Sequence, residues 1–321
     1  MHPRFTLSAF ALAAGLSLVP MAHAANPIVT DVYTADPAAL VDNGRVYMYV
    51  GRDEAAANAT DYKMNEWRIY STCNMQTWKY HSAVKYSIFS WASGHAWASH
   101  VVKRGSKYYL YATVDHRTIP GHAIGVAVSD SPTGPFKDAL GKALITNPMT
   151  KQTDIPWDDI DPAVFIDTDG QAYLYWGNTY LKYAKLNSNM ISLSTGIKTF
   201  ALDRFTEAPW VHKRGSTYYL SYAHNFPEDI AYSTGPSPTG PWTYRGVIMN
   251  VNSNVKTIHQ APIDFNGKSY MFYHSARLSG GGEYRRAAAV DEMKYNADGT
   301  IKPIAKTATG PAANPSQGCT N

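Results

Sequence analysis

Three carboxylates stand at the heads of similar short segments that are far apart along the chain. Asp36 precedes "PAALVDNGRVYMYVG", Asp161 precedes "PAVFIDTDGQAYLYW" and Glu207 precedes "APWVHKRGSTYYLSYA". Hydrolysis of a glycosidic bond needs one carboxylic acid to protonate the leaving oxygen and one carboxylate to activate water or attack the sugar. The acid must stay protonated near neutral pH, so its pKa has to be raised by burial or by a neighbouring negative charge. A third carboxylate could supply that charge and hold the acid in position.

Each of these acids also has a purely structural interpretation. An Asp or Glu before a strand often accepts a hydrogen bond from a turn amide, and an Asp-Pro pair such as Asp36-Pro37 favours the start of a turn. Taken singly, the acids would be assigned to turns. Their shared register at the heads of matching segments favours a common chemical role instead.

The matching segments belong to a pattern that occurs five times. The copies read "ADPAALVDNGRVYMYVG", "AWASHVVKRGSKYYLYA", "IDPAVFIDTDGQAYLYW", "EAPWVHKRGSTYYLSYA" and "HQAPIDFNGKSYMFYHS". Each contains a short apolar strand, a polar turn with Gly and an aromatic strand, which is typical of a β-hairpin. Further strand-like stretches follow each hairpin, and those after the second and fourth copies share Ser-Pro-Thr-Gly-Pro before an aromatic residue.

Five units of roughly four strands each, joined by unequal spacers, predict an all-β fold, a five-bladed β-propeller. A β-sandwich with accidental internal similarity is the alternative. No long segment has convincing helical periodicity. In a propeller the first strand of every blade lines the central channel, so the heads of these strands converge at one mouth. We therefore expect Asp36, Asp161 and Glu207 to meet at one end of one cavity.

The motifs "TADPA", "DIDPAVF" and "TEAPW", in this order, resemble the signatures of glycoside hydrolase family 43, whose members are five-bladed propellers. The resemblance covers nearly the whole chain after its N-terminal segment. It implies an inverting mechanism in which Asp36 is the general base, Glu207 the general acid and Asp161 the modulator of the pKa of the acid.

The resemblance also implies a substrate class, plant cell-wall polysaccharide. The predicted activity is exo-acting release of L-arabinofuranose from arabinan or arabinoxylan side chains. A β-D-xylosidase of the same family is the alternative, since both sugars are pentoses of similar size. A non-catalytic carbohydrate-binding propeller is the alternative from another class, although it would have no need of three carboxylates.

Three further residues are candidates for substrate binding. Trp97 heads the second copy and could stack on the sugar, although a core tryptophan would look the same. His259 heads the fifth copy, and the resemblance implies a position deep in the channel, near a water cluster or a calcium ion; a buried, hydrogen-bonded histidine is the alternative. Arg286 matches a family arginine that faces substrate hydroxyls, but a register error of one residue would exchange it with Arg285.

No cofactor is predicted for the chemistry and no protein metal-ligand set is recognised, so a structural calcium ion near His259 is the one inorganic partner considered. The acidic runs Asp158-Asp159 and Asp167 to Asp169 lack the spacing of a calcium-binding loop and are interpreted as polar turns.

The composition bears on the partners. The net charge of +4 is spread along the chain, which does not indicate a nucleic-acid-binding protein. The 23 Tyr, 8 Trp and 10 Phe residues suit both sheet packing and stacking on sugar rings. We expect a monomer that acts on oligosaccharides or polysaccharides.

Residues 1–24 have the pattern of a signal peptide, with a basic start, an apolar run and Ala22-His23-Ala24 before the expected cleavage site. The apolar run is too short to favour a membrane span. The chain is therefore expected to be exported, to the periplasm or the medium, as a single domain of residues 25–321. Its two cysteines, Cys73 and Cys319, could form a disulfide or remain free thiols.

Overall fold

The computed structural model describes residues 26–150, 152–251 and 254–320, and the predicted signal peptide lies outside them. Strands form five separate sheets arranged in a ring, which confirms the five-bladed β-propeller. Helix is confined, within the described residues, to a 3₁₀ turn at Tyr86–Ile88 and one α-helical turn at Asn147–Thr150. The described part of the chain contains no helix long and apolar enough to cross a membrane.

Blades 1, 3 and 4 are four-stranded antiparallel meanders in which each strand pairs with its neighbours in sequence. In blade 1 the strands are β1 Tyr33–Asp42, β2 Arg45–Asp53, β3 Glu66–Thr72 and β4 Lys79–Lys85. In blade 3 they are β11 Ala163–Ile166, β12 Ala172–Trp176, β13 Leu181–Leu186 and β14 Lys198–Phe200, and in blade 4 β15 Phe205–Arg214, β16 Thr217–His224, β17 Asp229–Gly235 and β18 Thr243–Met249.

Blades 2 and 5 depart from four strands. Blade 2 has six, because short edge pieces join the meander: β5 Ala92–Gly94, β6 Ser99–Arg104, β7 Lys107–His116, β8 His122–Ser129, β9 Lys137–Asp138 and β10 Ile145–Thr146. Blade 5 has three described strands, β19 Ala261–Phe265, β20 Lys268–Ser275 and β21 Ala287–Met293.

The N-terminal segment closes the ring by covering the open edge of β21. The Ile28 amide donates to the Ala288 carbonyl at 2.8 Å, and the Thr34 amide donates to the Arg286 carbonyl at 2.8 Å. The Ala288 amide in turn donates to Thr34 Oγ1 at 3.1 Å. Because this edge is paired, it presents fewer free backbone groups to another chain, and blade 5 is fastened to blade 1.

The C-terminal tail makes a second connection across the same junction. Asn314 donates from its side chain to the Tyr270 hydroxyl of blade 5 at 2.8 Å and from its backbone to the Asn74 carbonyl beside blade 1 at 2.9 Å. A disulfide joins Cys73, directly after β3, to Cys319 in the tail, with 5.6 Å between their Cα atoms. Of the two possibilities left open by the sequence, the structure therefore has the bridge.

The hairpin turns form where the sequence predicts them. Asn43 and Gly44 join β1 to β2 with φ values of 48° and 71°, and Asn266 and Gly267 join β19 to β20 with φ values of 46° and 78°. Two consecutive positive φ values define the type I′ turn, which matches the twist of the flanking strands and favours Asn-Gly.

The repeated Ser-Pro-Thr-Gly-Pro turns have a packing role between blades. The buried Tyr49 of blade 1 donates its hydroxyl to the Pro132 carbonyl in the first of these turns at 2.7 Å, and the buried Tyr175 of blade 3 donates to the Pro238 carbonyl in the second. A buried tyrosine needs a partner for its hydroxyl. Each turn therefore provides an acceptor for the blade that precedes it.

One of the two acidic runs is not a polar turn. Asp167 does lie in a turn, held by Lys213 at 2.8 Å, but the side chains of Asp158 and Asp159 are fully buried, so that prediction is wrong. The reason is Lys182 of β13, whose equally buried ammonium lies 3.8 Å from Asp158 and 3.6 Å from Asp159. Buried carboxylates need such a partner, and this cluster anchors the segment that leads into Asp161.

Candidate active site

The heads of the inner strands surround one cavity of about 510 Å³ at an end of the channel. Asp36, Asp161 and Glu207 all line it. Asp36 and Asp161 are more than a hundred residues apart in the sequence, and Asp161 and Glu207 are 46 residues apart. The propeller therefore gathers the three carboxylates at a single hollow, as expected from the repeat pattern.

A left-handed backbone conformation occurs at two of these acids and at a matching alanine. Asp36, Asp161 and Ala208 have φ values of 52°, 59° and 53°, and each is followed by proline. Side chains satisfy the amides of all three: Asp36 donates to His274 Nδ1 at 3.3 Å, Asp161 to Thr113 Oγ1 at 2.9 Å and Ala208 to Asp161 Oδ2 at 3.1 Å. A left-handed backbone persists at such residues only when its surroundings hold it.

The strand pairing differs from the register that the sequence predicted for the acids. In β1 the regular pairing is interrupted between Ala35 and Ala38, and in β15 it is interrupted between Glu207 and Trp210. Glu207 therefore corresponds to Ala35, one residue before the position of Asp36, and the prediction of one shared register is wrong for this acid. Glu207 enters the cavity from the strand side of its bulge, whereas Asp36 lies within the bulge of β1 and Asp161 lies just before β11.

Asp36 lies beside two basic side chains. Arg286 Nη1 is 2.9 Å from Asp36 Oδ1, and His274 Nδ1 is 3.2 Å from the same oxygen. Burial by itself would raise the pKa of Asp36, but Arg286 and then His274 outweigh it and hold the pKa below its usual range. Asp36 is consequently ionised at neutral pH and can accept a proton.

The pKa of Glu207 is shifted in the opposite direction. Burial raises the pKa of Glu207 to about 7, and the negative charge of Asp36 acts in the same direction. The Asn178 amide donates to Glu207 Oε2 at 2.8 Å and opposes this rise. Burial, and after it the negative charges of Glu207 and Asp36, also raise the pKa of Asp161. Because two buried acids cannot both ionise cheaply, a proton is retained at this side of the cavity.

Another buried carboxylate of the cavity, Glu228, was missed by the sequence analysis. Glu228 is almost fully buried, and its Oε2 accepts a hydrogen bond from the Ile258 amide at 2.7 Å. Burial, followed by the charge of Glu207, raises its pKa. Glu228 lies in the β16–β17 loop. The sequence could have indicated its position, because this loop is at the same end of the sheet as the start of β15, where Glu207 lies.

Arg286 lines the cavity, while Arg285 lies over the ring of Tyr33 with 5.4 Å to its centroid. The guanidinium of Arg286 makes a two-point contact with Asp53, both bonds being 2.9 Å, in addition to its bond to Asp36. These contacts give Arg286 a positioning role for Asp36. Its predicted contact with substrate hydroxyls stays a prediction.

His259 is buried at the cavity wall, with Nδ1 3.8 Å from Asp161 Oδ2. Burial lowers the pKa of His259 to about 4, so the ring is neutral at pH 7. Calcium prefers six to eight oxygen ligands, whereas His259 lies close to one carboxylate, that of Asp161. The described side chains around His259 do not form a calcium shell.

Aromatic rings form one wall of the cavity. Trp97 lines it, and Tyr62 meets Trp97 edge-on with 5.9 Å between ring centroids. Tyr284 contacts Tyr62 in the same way at 4.8 Å. At the rim, Phe226 is 66% exposed. Such faces, next to polar edges, are suited to the apolar faces of sugar rings.

Comparisons with known proteins agree on one family. The sequence profile of "Glycosyl hydrolases family 43" matches residues 24–301. An arabinoxylan arabinofuranohydrolase of Bacillus subtilis (strain 168) is 30% identical over 339 residues, which cover 89% of this chain and 65% of that protein. A xylosidase/arabinosidase of Bacteroides ovatus is 32% identical over 324 residues, covering 85% of this chain and 95% of the relative.

Two solved structures are similar over most of the chain. A family 43 β-xylosidase/α-arabinofuranosidase from a compost microbial metagenome, in complex with xylotriose, superposes with a TM-score of 0.79 at 32% identity, covering 89% of this chain and 98% of that one. An α-L-arabinofuranosidase from Clostridium thermocellum superposes with a TM-score of 0.72 at 37% identity, covering 86% and 95%.

Proposed function

Because the chain belongs to glycosyl hydrolase family 43 and is a glycoside hydrolase, we propose that it is an inverting, exo-acting α-L-arabinofuranosidase that releases L-arabinofuranose from arabinan or arabinoxylan side chains. The observation that carries the proposal is that one cavity contains Asp36, 2.9 Å from the Arg286 guanidinium, and the buried Glu207, an arrangement that lowers the pKa of Asp36 and raises that of Glu207. Such a separation distinguishes a base from an acid.

In this mechanism Asp36 is the general base. Its ionised carboxylate takes a proton from a water molecule, and the water oxygen attacks the anomeric carbon from the face opposite the leaving group. Arg286 supports this role because it keeps Asp36 ionised and fixes its orientation.

Glu207 is the general acid. It donates its proton to the glycosidic oxygen while the bond to the anomeric carbon breaks, which spares the leaving sugar from departing as an alkoxide. Asp161 is the modulator, since its Oδ2 is bonded to the amide directly after Glu207 and its carboxyl shares the same buried environment. This family needs no cofactor for catalysis.

The choice of arabinofuranose rests on the relatives. Among the similar proteins, two are named arabinoxylan arabinofuranohydrolases, and the similar α-L-arabinofuranosidase structure is 37% identical. The β-D-xylosidase remains the second candidate, because a similar protein of Xylanibacter ruminicola is named a beta-xylosidase and the metagenome enzyme carries both activities in its name.

We also propose that the chain is exported after cleavage near Ala24 and acts as a monomer. The Cys73–Cys319 disulfide supports export, since such bonds persist in oxidising compartments.

A non-catalytic carbohydrate-binding role is disfavoured, because binding alone has no use for the opposite pKa shifts of Asp36 and Glu207.

A substrate panel tests the proposal. Purified protein is assayed on 4-nitrophenyl α-L-arabinofuranoside and 4-nitrophenyl β-D-xyloside, then on arabinan and arabinoxylan with product identification. We expect arabinose as the main product and a higher kcat/KM for the arabinofuranoside. A higher value for the xyloside with xylose release would support the xylosidase, and binding without any release would support the lectin-like alternative.

A further inference from the structure

Beside the active-site cavity, blade 2 brings together two histidines and an aspartate that the mechanism does not use. His95 precedes Trp97, Asp115 lies near the end of β7 and His122 begins β8. His95 Nδ1 is 2.9 Å from Asp115 Oδ2, and His122 Nε2 is 3.3 Å from Asp115 Oδ1. One ligand atom from each residue lies within 4.8 Å of the other two.

The surroundings of His122 fix which of its nitrogens is available. Its Nδ1 lies 3.2 Å from the Pro156 carbonyl oxygen, which can only accept, so this contact places the proton on Nδ1. In the neutral ring the lone pair is then on Nε2, which faces the Asp115 carboxylate. A lone pair and a carboxylate oxygen at 3.3 Å repel each other unless the ring takes up a second proton or a metal ion lies between them.

The two nitrogens that face Asp115 are not part of well-aligned hydrogen bonds within the described residues. His122 is 5% exposed, and neither His122 Nε2 nor His95 Nδ1 has a hydrogen bond of acceptable geometry within the described residues. The 2.9 Å contact of His95 Nδ1 with Asp115 Oδ2 becomes an ion pair only when the ring is protonated. A proton could relieve one nitrogen, whereas a metal ion at the point where the three side chains converge would use both nitrogens and the carboxylate.

We propose that His95, Asp115 and His122 form a binding site for a divalent transition-metal ion of the zinc type, distinct from the catalytic carboxylates. Two imidazoles and a carboxylate suit zinc and its neighbours, whereas calcium and magnesium prefer oxygen ligands throughout. The bond from His122 Nδ1 to a backbone carbonyl is the outer contact that orients metal-binding histidines. About a third of the His95 and Asp115 side chains is exposed, so an ion can enter from solvent and complete its shell with water.

The position gives the ion a consequence for the cavity. Trp97 stacks on His122 with 4.1 Å between ring centroids and on His95 with 5.0 Å. An ion bound to both imidazoles therefore fixes the surface on which this tryptophan rests, and with it one wall of the cavity. This consequence rests on the proposed function, whereas binding of the ion does not.

Binding is tested on protein without a polyhistidine tag that has been stripped with a chelator. Isothermal titration with Zn²⁺, and visible absorption on titration with Co²⁺, give stoichiometry and affinity. We expect one ion per chain, with affinity reduced at least about tenfold in His95→Asn and in His122→Asn. His95 is partly exposed, so its variant tests the site even if His122→Asn fails to fold.

Two control variants separate this site from others. His81→Asn removes a histidine of blade 1, and Asp161→Asn removes a carboxylate of the cavity; both are expected to bind Zn²⁺ as the unmodified chain does. Absence of stoichiometric Zn²⁺ binding, or binding that survives in both His95→Asn and His122→Asn, overturns the proposal. Because these measurements need no substrate, their failure is distinguishable from failure of the proposed hydrolase activity.

Discussion

Arg286 donates a 2.9 Å hydrogen bond to Asp36 while Asp53 holds the rest of its guanidinium. The arginine is thus committed to two carboxylates before any substrate binds. Its side chain is 5% exposed, so the charge acts on Asp36 with little screening by solvent. This contact explains how a buried aspartate stays ionised among several other acids.

Replacement of Arg286 is expected to shift the acidic limb of the pH–rate profile. In Arg286→Gln the positive charge is lost, the ionised form of Asp36 is destabilised and its pKa rises, so kcat/KM begins to fall at a higher pH. Arg286→Lys keeps the charge and should shift the limb less. Loss of one buried partner should also destabilise the fold by about 3–5 kcal/mol, measurable by denaturant unfolding.

Arg285→Gln is the matched control, since Arg285 lies over Tyr33 outside the cavity. An acidic limb that stays in place in Arg286→Gln would show that Arg286 does not control the ionisation of Asp36.

The alkaline limb of the pH–rate profile should report the ionisation of Glu207. With a pKa of about 7 the acid loses its proton above that pH, and kcat/KM should decline there. Asn178 donates to the ionised carboxylate, so Asn178→Ala removes a stabilising contact, raises the pKa of Glu207 and moves the limb to higher pH. A limb that moves to lower pH in Asn178→Ala would contradict this account of the Asn178 contact.

Glu228 is expected to act as a neutral acid. Burial raises its pKa, and a glutamine can still accept the hydrogen bond from the Ile258 amide. Glu228→Gln should therefore keep nearly the stability of the unmodified chain, whereas Glu228→Ala should lose about 1–3 kcal/mol because a buried amide is left unpaired. Thermal and denaturant unfolding measure both. Equal losses in the two variants would indicate that an ionised carboxylate is needed.

Glu207→Gln should slow cleavage more for substrates with poor leaving groups than for substrates with good ones. The glutamine cannot donate a catalytic proton, so cleavage of arabinan or arabinoxylan should fall by about 10²–10⁴-fold. The loss for 4-nitrophenyl arabinofuranoside should be much smaller, because 4-nitrophenolate leaves without protonation. Glu292→Gln on β21, outside the cavity, serves as the control. Similar losses on both kinds of substrate would remove Glu207 from the role of acid.

The fold could be predicted from the sequence because the local turn and strand signals agree with the long-range repeat. Asn43-Gly44 and Asn266-Gly267 form the turns that their types favour, and the five hairpins recur with enough similarity to reveal the blades. The convergence of Asp36, Asp161 and Glu207 followed from that topology alone.

Other features needed the three-dimensional structure. The one-residue offset of Glu207 arises from the bulge at Ala208, although the prolines after Asp36, Asp161 and Ala208 carried that signal. The burial of Asp159 depends on Lys182, which another strand brings to it, and no spacing in the sequence encodes that contact.

The central claim is that Asp36 and Glu207 act on opposite faces of the sugar as base and acid. Proton NMR of the sugar first released from an arabinofuranoside, recorded before the anomers equilibrate, tests it most directly. The account predicts β-L-arabinofuranose, the anomer opposite to that of the α-linked substrate. Initial appearance of the α anomer would contradict it, because retention requires a carboxylate that attacks the sugar instead of water.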